Sequence, residues 1–299
     1  MQVFVSGGTG FVGSEVIRHL AAAGHQVVAL VRPGSENKLV NVPNVSAHRG
    51  DVSVPDSLTE GLKGCDAVIH LVGIIREFPE RKVTFERLHV EATQNMIRAV
   101  DACGIKRYLH MSANGTREDG VTPYQRSKWR AEEAVRNSQL DWTIFRPSMI
   151  FGPEGGFAEM LKELFRLPVV PVIGDGRYRL QPVSVGQVAL TFLKSLAMPE
   201  TAHETYHLGG AEQYTFNEIL DLTGKALGRT EVIKLHQPVA LVRPVVRLLE
   251  NFRAFPLTLD QLTMLLEGNV CDQRPWAKTF GIDPLSFEKG VVTCFKSQG

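Results

Sequence analysis

Cysteine is scarce in this chain: 299 residues contain four, Cys65, Cys103, Cys271 and Cys294. They lie far apart with no CxxC pair, which argues against a disulfide scaffold or a zinc site and for a reducing compartment. Long apolar runs are missing too. Nothing approaches the about 18 consecutive apolar residues that a spanning helix needs. No basic segment leading into an apolar one opens the chain, so a cytoplasmic protein is expected. Neither sign of charge is in excess: 33 Lys and Arg meet 32 Asp and Glu, a net of +1. Nothing global therefore attracts nucleic acid or an anionic membrane. There is no internal repeat, low-complexity tract, HExxH, P-loop or EF-hand pattern, and no metal is expected.

What is present is a regular alternation. Short runs apolar on both faces, at Gln2–Ser6, Gln26–Val31, Val45–Arg49, Ala67–Leu71, Arg107–Met111 and Trp142–Phe145, read as strands of a sheet buried under helices. Helical patterns separate them at Val12–Ala23, Asp56–Leu62, Val83–Cys103 and Pro123–Asn137. This predicts an α/β fold, a doubly wound parallel sheet with right-handed crossovers, over residues 1–150. After Arg146-Pro147 glycine and proline cluster, and helices return at Gly186–Ala197, Phe216–Leu227, Val239–Phe252 and Thr258–Leu266. A smaller C-terminal α/β substrate lobe is expected over 151–299, with about 183–208, including a strand at Glu204–Leu208, returning to the first domain.

Gly7, Gly10 and Gly13 form G-x-x-G-x-x-G between the first strand and the first helix, with Thr9, Phe11 and Val12 between them. Such a loop lets the backbone approach a pyrophosphate, and the helix N-terminus offers free N–H groups. Dinucleotide binding is the reading. The second strand ends in Arg32 where a carboxylate would favour NAD(H). A guanidinium suits a 2′-phosphate, so NADP(H) is favoured and NAD(H) is the alternative. Asp51 and Val52 are placed for the adenine edge, and Leu71, Val72 and Gly73 for the cofactor's flank.

Tyr124 and Lys128, four apart, share one helix face. A lysine ammonium near a phenol favours the phenolate and makes the tyrosine an acid–base group, and the same lysine can hold the nicotinamide ribose. Ser112 ends the fifth strand, where ligand crevices lie in such sheets, and can orient a substrate oxygen. A further stretch, Pro238–Phe255, is apolar with Arg243, Arg247 and Arg253 interspersed. It reads as an amphipathic helix packed on the main lobe with its arginines in solvent. The alternatives are a helix resting on a membrane surface or one shaping a pocket for an apolar substrate.

The motifs GGTGFVG, Ser112 and YQRSK, followed by FRPSMIFGPEG, PVIGDGRYRLQPVSVGQVA and YHLGGAEQYTFNEIL, resemble the short-chain dehydrogenase/reductase superfamily of the extended, epimerase-like kind. The combination is most similar to the atypical branch that contains the Rossmann-like accessory subunit of respiratory complex I and its stand-alone bacterial relatives. The resemblance covers nearly the whole chain. It implies an NAD(P)(H)-binding Rossmann fold whose second lobe closes over a substrate crevice, with Ser112, Tyr124 and Lys128 as catalytic serine, tyrosine and lysine. It places Pro147 to Ile150, Met149 among them, beside the nicotinamide. The implied activity is hydride transfer at a hydroxyl or carbonyl carbon of a small substrate by a monomer or homodimer. The alternative is a non-catalytic NADP(H)-binding module or redox sensor at a respiratory or membrane partner. His89 departs from the pattern, standing where many members carry an asparagine, which bears on the usual proton-relay arrangement.

Overall fold

The first six strands are β1 (Gln2–Ser6), β2 (Gln26–Val31), β3 (Val45–Arg49), β4 (Ala67–His70), β5 (Arg107–Met111) and β6 (Asp141–Pro147). They are short because helices cover both faces; their buried positions are mostly apolar, but β1, β4 and β5 also bury Ser6, His70 and His110, and the edge strand β3 is largely exposed. After β6 come the two-residue strand β7 (Ile150–Phe151), β8 (Val170–Ile173), β9 (Arg179–Leu180), β10 (Val183–Ser184), β11 (Glu204–Leu208), β12 (Tyr214–Thr215) and β13 (Lys234–Gln237). The computed structural model describes residues 1–252 and 255–295.

One seven-stranded parallel sheet runs in the order β11-β6-β5-β4-β1-β2-β3. The order reverses between β1 and β4, so the crevice beyond their C-terminal ends is the topological switch point where such sheets bind ligands. The helices are α1 (Phe11–Ala22), α2 (Thr59–Leu62), α3 (Ala92–Ala102), α4 (Pro123–Arg136), α5 (Gly156–Leu164), α6 (Val185–Ser195), α7 (Phe216–Ala226), α8 (Val239–Leu249), α9 (Leu259–Glu267), α10 (Arg274–Phe280) and α11 (Phe287–Phe295).

Val16, Ile17 and Leu20 of α1 and Val188 and Phe192 of α6 bury one sheet face. Leu58, Leu62, Met96, Val100 and Val135 cover the other. A separate core of Phe151, Phe157, Leu161, Phe216, Leu220, Phe287 and Val291 holds the second lobe. Among the described residues no helix is long and apolar enough to cross a membrane.

Three expectations are corrected. The helix expected over Val83–Cys103 begins later and is not uniform: Glu86–Glu91 is a π-helical turn that runs into α3. The extra residue in that turn swings His89 inward, where it is 1% exposed. The helix expected over Asp56–Leu62 is a 3-10 turn, Pro55–Ser57, followed by the single turn of α2. Finally, α8 does not pack its apolar face on the main lobe. Val246 is its one buried residue, while Leu241, Val245 and Leu248 are 69%, 50% and 74% exposed. Arg253 lies outside the described residues.

Candidate active site

The glycine loop follows from sterics. Gly7 takes φ +80°, a conformation open to few other residues, and a Cβ on it would lie 3.0 Å from the Leu71 carbonyl carbon. A Cβ on Gly13 would lie 2.1 Å from Gly7 O. The loop therefore turns tightly under the start of α1, with Gly10 N–H donating to Gly7 O at 3.0 Å. Thr9 and Gly10 keep some exposure, Val12 is buried, and the Phe11 ring lies against Gly152 and Gly155 of the second lobe. Gly10 caps α1 with no side-chain hydrogen bond, and no acidic residue occupies the first turn. That leaves a backbone cradle biased toward an anion. Gly13→Ala is expected to force α1 off the loop and weaken nucleotide binding by about 100-fold, equivalent to about 3 kcal/mol. A fluorescence titration giving wild-type affinity would contradict this.

Arg32 is exposed just beyond β2, and Glu36, the nearest carboxylate along the chain, is paired with Arg49 at 2.8 Å. The Asp51 carboxylate accepts from Ser53 N and Oγ at 2.8 and 2.7 Å, shaping the turn beyond β3. Val52 is buried, and its carbonyl accepts from Asn95 Nδ2 at 2.9 Å. Leu71, Val72 and Gly73 run past the glycine loop. A Cβ on Gly73 would lie 3.0 Å from Lys128 Nζ and 3.7 Å from His89 Nε2. Pro147 ends β6 and its carbonyl accepts from Asn114 N at 2.8 Å. Met149 is half-buried and packs against the second lobe's core.

α4 starts where the sequence places it. Thr122 and Gln125 form a reciprocal capping box and Pro123 occupies the first turn. That start sets Tyr124 and Lys128 one turn apart facing β5. Lys128 is 4% exposed and donates to the Met111 carbonyl at 3.1 Å. Ser112, the next residue, is 3% exposed, with Oγ 3.3 Å from Thr116 Oγ1.

The expected lowering of the tyrosine is not found. Burial pushes the Tyr124 phenol up to about 12, with no charged group opposing it. Burial also brings Lys128 down to about 8, partly offset by the Glu132 carboxylate. The reason is geometric: Lys128 donates to Met111 O and lies close to Gly73.

His89 joins three parts of the site. Its Nδ1 is 2.8 Å from Ser127 Oγ, and Ser127 Oγ donates to the Tyr124 carbonyl at 2.9 Å. Nε2 lies 3.1 Å from Ile74 N and 3.0 Å from Ile74 O, so the ring accepts from the Ile74 N–H in one tautomer and donates to the Ile74 carbonyl in the other. The ring stacks on Phe85 and meets the Tyr124 ring edge-on at 5.5 Å. Burial, and then the nearby Lys128 charge, hold it neutral, down to about 2.

Sequence reasoning missed the second lobe's hold on the site. Asn114 Nδ2 donates to Asn269 Oδ1 and to Val270 O at 2.8 and 2.9 Å, while its Oδ1 meets His207 Nδ1 at 2.8 Å. Gln125 Nε2 donates to Glu267 Oε2 at 2.7 Å, and Arg117 pairs with the same carboxylate. No spacing signal could have revealed partners so distant in sequence.

A parallel sheet with its switch point at β1 and β4, and a glycine cradle at that point, define a pyridine-nucleotide-binding fold of the extended short-chain dehydrogenase/reductase kind. The chain belongs to the NAD(P)H-binding family, whose model matches residues 7–163. It is 30% identical over 276 residues to the mitochondrial NADH dehydrogenase (ubiquinone) 1 alpha subcomplex subunit 9 of Arabidopsis thaliana, covering 89% of this chain and 68% of that protein. It is 26% identical to the 2-alkyl-3-oxoalkanoate reductase of Stenotrophomonas maltophilia (strain K279a), covering 97% of each. The solved UDP-glucose 4-epimerase of Thermotoga maritima superposes with a TM-score of 0.77 at 20% identity, covering 98% of this chain and 97% of that one. At that identity the likeness is one of fold.

Proposed function

We propose that this chain is a hydride-transfer enzyme acting at a hydroxyl or carbonyl carbon of a small, apolar substrate, with NADP(H) preferred to NAD(H). One observation carries the reading. Lys128, Ser112 and the Gly73 backbone converge at the switch point beside the glycine cradle, with Lys128 Nζ 3.1 Å from the carbonyl that precedes Ser112. The cradle suits a dinucleotide, since Gly10 is exposed at the start of α1 and no acidic residue occupies that helix's first turn, which leaves backbone N–H groups for a phosphate. Gly7–Gly13, Arg32 and Leu71–Gly73 would hold it. When bound, the nicotinamide supplies or accepts the hydride.

The chain's own residues handle the proton. Tyr124, whose phenol stays protonated at neutral pH, donates to the oxygen as a carbonyl becomes a hydroxyl. Ser112 orients that oxygen, and Lys128, close to Gly73 on the cofactor's flank, would hold the nicotinamide ribose. The reductase relative supports an apolar carbonyl substrate. Arg32, unopposed by a free carboxylate, supports NADP(H).

A second reading is a nucleotide-holding module docked on a respiratory or membrane partner. The complex-related relative and the uncovered face of α8 favour it. The two are separated by incubating the protein with NADPH and a series of ketones of increasing alkyl length. The enzyme reading expects NADPH consumption that rises with chain length. Tight nucleotide binding with no consumption of any ketone leaves the second reading.

A further inference from the structure

From Ile233 to Phe252 the surface carries six large apolar side chains in the open: Ile233, Leu235, Leu241, Val245, Leu248 and Phe252, between 50% and 74% exposed. Single exposed apolar residues are ordinary, but such a concentration marks an interaction site. On α8, Leu241, Val245 and Leu248 recur at helical spacing, and Phe252 continues the stripe. Arg243 and Arg247 occupy the other edge of the helix's exposed arc, where their long side chains can reach past the backbone. Neither forms an ion pair among the described residues.

The charge of this segment is weakly basic. Between Ile233 and Phe252, Lys234, Arg243 and Arg247 stand against Glu250, and Lys234 is paired with Asp221 at 2.5 Å, which leaves Arg243 and Arg247 as the cations beside the apolar stripe. Two arginines thus flank the exposed apolar stripe of α8. The patch is also anchored beside the candidate active site. Arg76, three residues beyond Gly73, donates to the carbonyls of Glu250, Phe252 and Phe255 at 2.6, 3.0 and 2.5 Å and so holds the end of α8. Ile75, in the same loop, is 56% exposed.

We propose that α8 and the adjoining β13 edge are a docking surface for an anionic lipid bilayer, with Leu241, Val245, Leu248 and Phe252 entering the interface and Arg243 and Arg247 meeting lipid phosphates. Apolar side chains framed by cations match a surface that is apolar beneath and negative above. A neutral bilayer supplies only the apolar part. The inference stands apart from the catalytic reading, because it requires no turnover.

The test is flotation of the full chain with vesicles of phosphatidylcholine containing phosphatidylglycerol, and with vesicles of phosphatidylcholine alone. Association with the anionic vesicles is expected, about tenfold weaker on neutral ones. The double substitutions Leu241→Ser with Leu248→Ser, and Arg243→Glu with Arg247→Glu, should each lower it by about tenfold or more. All four positions are exposed, so thermal melting should stay that of the wild type. Three results would overturn the proposal: no flotation with anionic vesicles, flotation unchanged by both doubles, or a Leu248-dependent dimer in sedimentation that does not float.

Discussion

Acid is expected to unfold this protein steeply, beginning near pH 6. Three histidines lie almost fully inside the fold. His70 on β4 and His110 on β5 are register partners with rings stacked at 5.6 Å, and His89 lies in the π-helical turn. Burial first, then the Lys128 charge, holds His70 down to about 3, from an ordinary value of 6.5. His89 is held to about 2, and His110 well below the usual imidazole range, by burial above all. The folded state thus binds these protons less readily than the unfolded chain. Stability is fully present above about pH 6.5 and falls as pH drops through the window down to the folded values.

His70 and His89 each contribute about 1.4 kcal/mol per pH unit in that window, and His110 acts in the same direction. Two units of acidification would then remove about 5 kcal/mol or more, a large share of the stability of an ordinary domain. Urea midpoints between about pH 7 and 4.5 measure this. His110→Leu separates the cause from general charge effects. Neither ring nitrogen of His110 has a hydrogen-bond partner among the described residues, so its loss should leave neutral-pH stability intact and flatten the slope. A midpoint constant down to about pH 5 would refute the account.

Tyr124→Phe is expected to cut turnover by about 100- to 10,000-fold while nucleotide affinity changes little. The hydroxyl is the one group lost. The ring keeps its edge-on contacts with Phe85 and His89, at 5.7 and 5.5 Å, so the pocket should not collapse. With the phenol at about 12, the tyrosine carries its proton across the whole neutral range and should act as the acid in the reductive direction. Bound phosphates and nicotinamide ribose would add charge and hydrogen bonds that this environment does not contain. Single-turnover NADPH oxidation with a ketone that the wild type consumes is the measurement, set beside NADPH titration of both proteins. Equal rates would remove Tyr124 from the chemistry.

Much of this was legible in the sequence because local chemistry dictates it. The strand-loop-helix at Gln2–Ala22 shows in its glycines, and the start of α4 shows in Thr122, Pro123 and Gln125. The expected return of Glu204–Leu208 to the first domain rested on its short strand-like pattern; in the structure β11 lies beside β6.

What escaped depends on long-range partners. The π-helical turn shifts the apolar period by one residue, and only the meeting of His89 with Ile74 and Ser127 reveals it. The lowered tyrosine followed from spacing along a helix. In the folded chain the lysine donates to the Met111 carbonyl of β5, a contact that helix spacing does not contain. α8 failed for a related reason. Its amphipathic pattern is real, but Pro244 interrupts it and Val246 alone finds cover.

The most direct test of the central claim is a nicotinamide-fluorescence titration with NADPH and NADH on the wild type and on Arg32→Ala. The account predicts that NADPH binds about tenfold or more tightly than NADH, and that Arg32→Ala removes the difference by weakening NADPH alone. Tighter NADH binding, or no binding of either nucleotide, would contradict it.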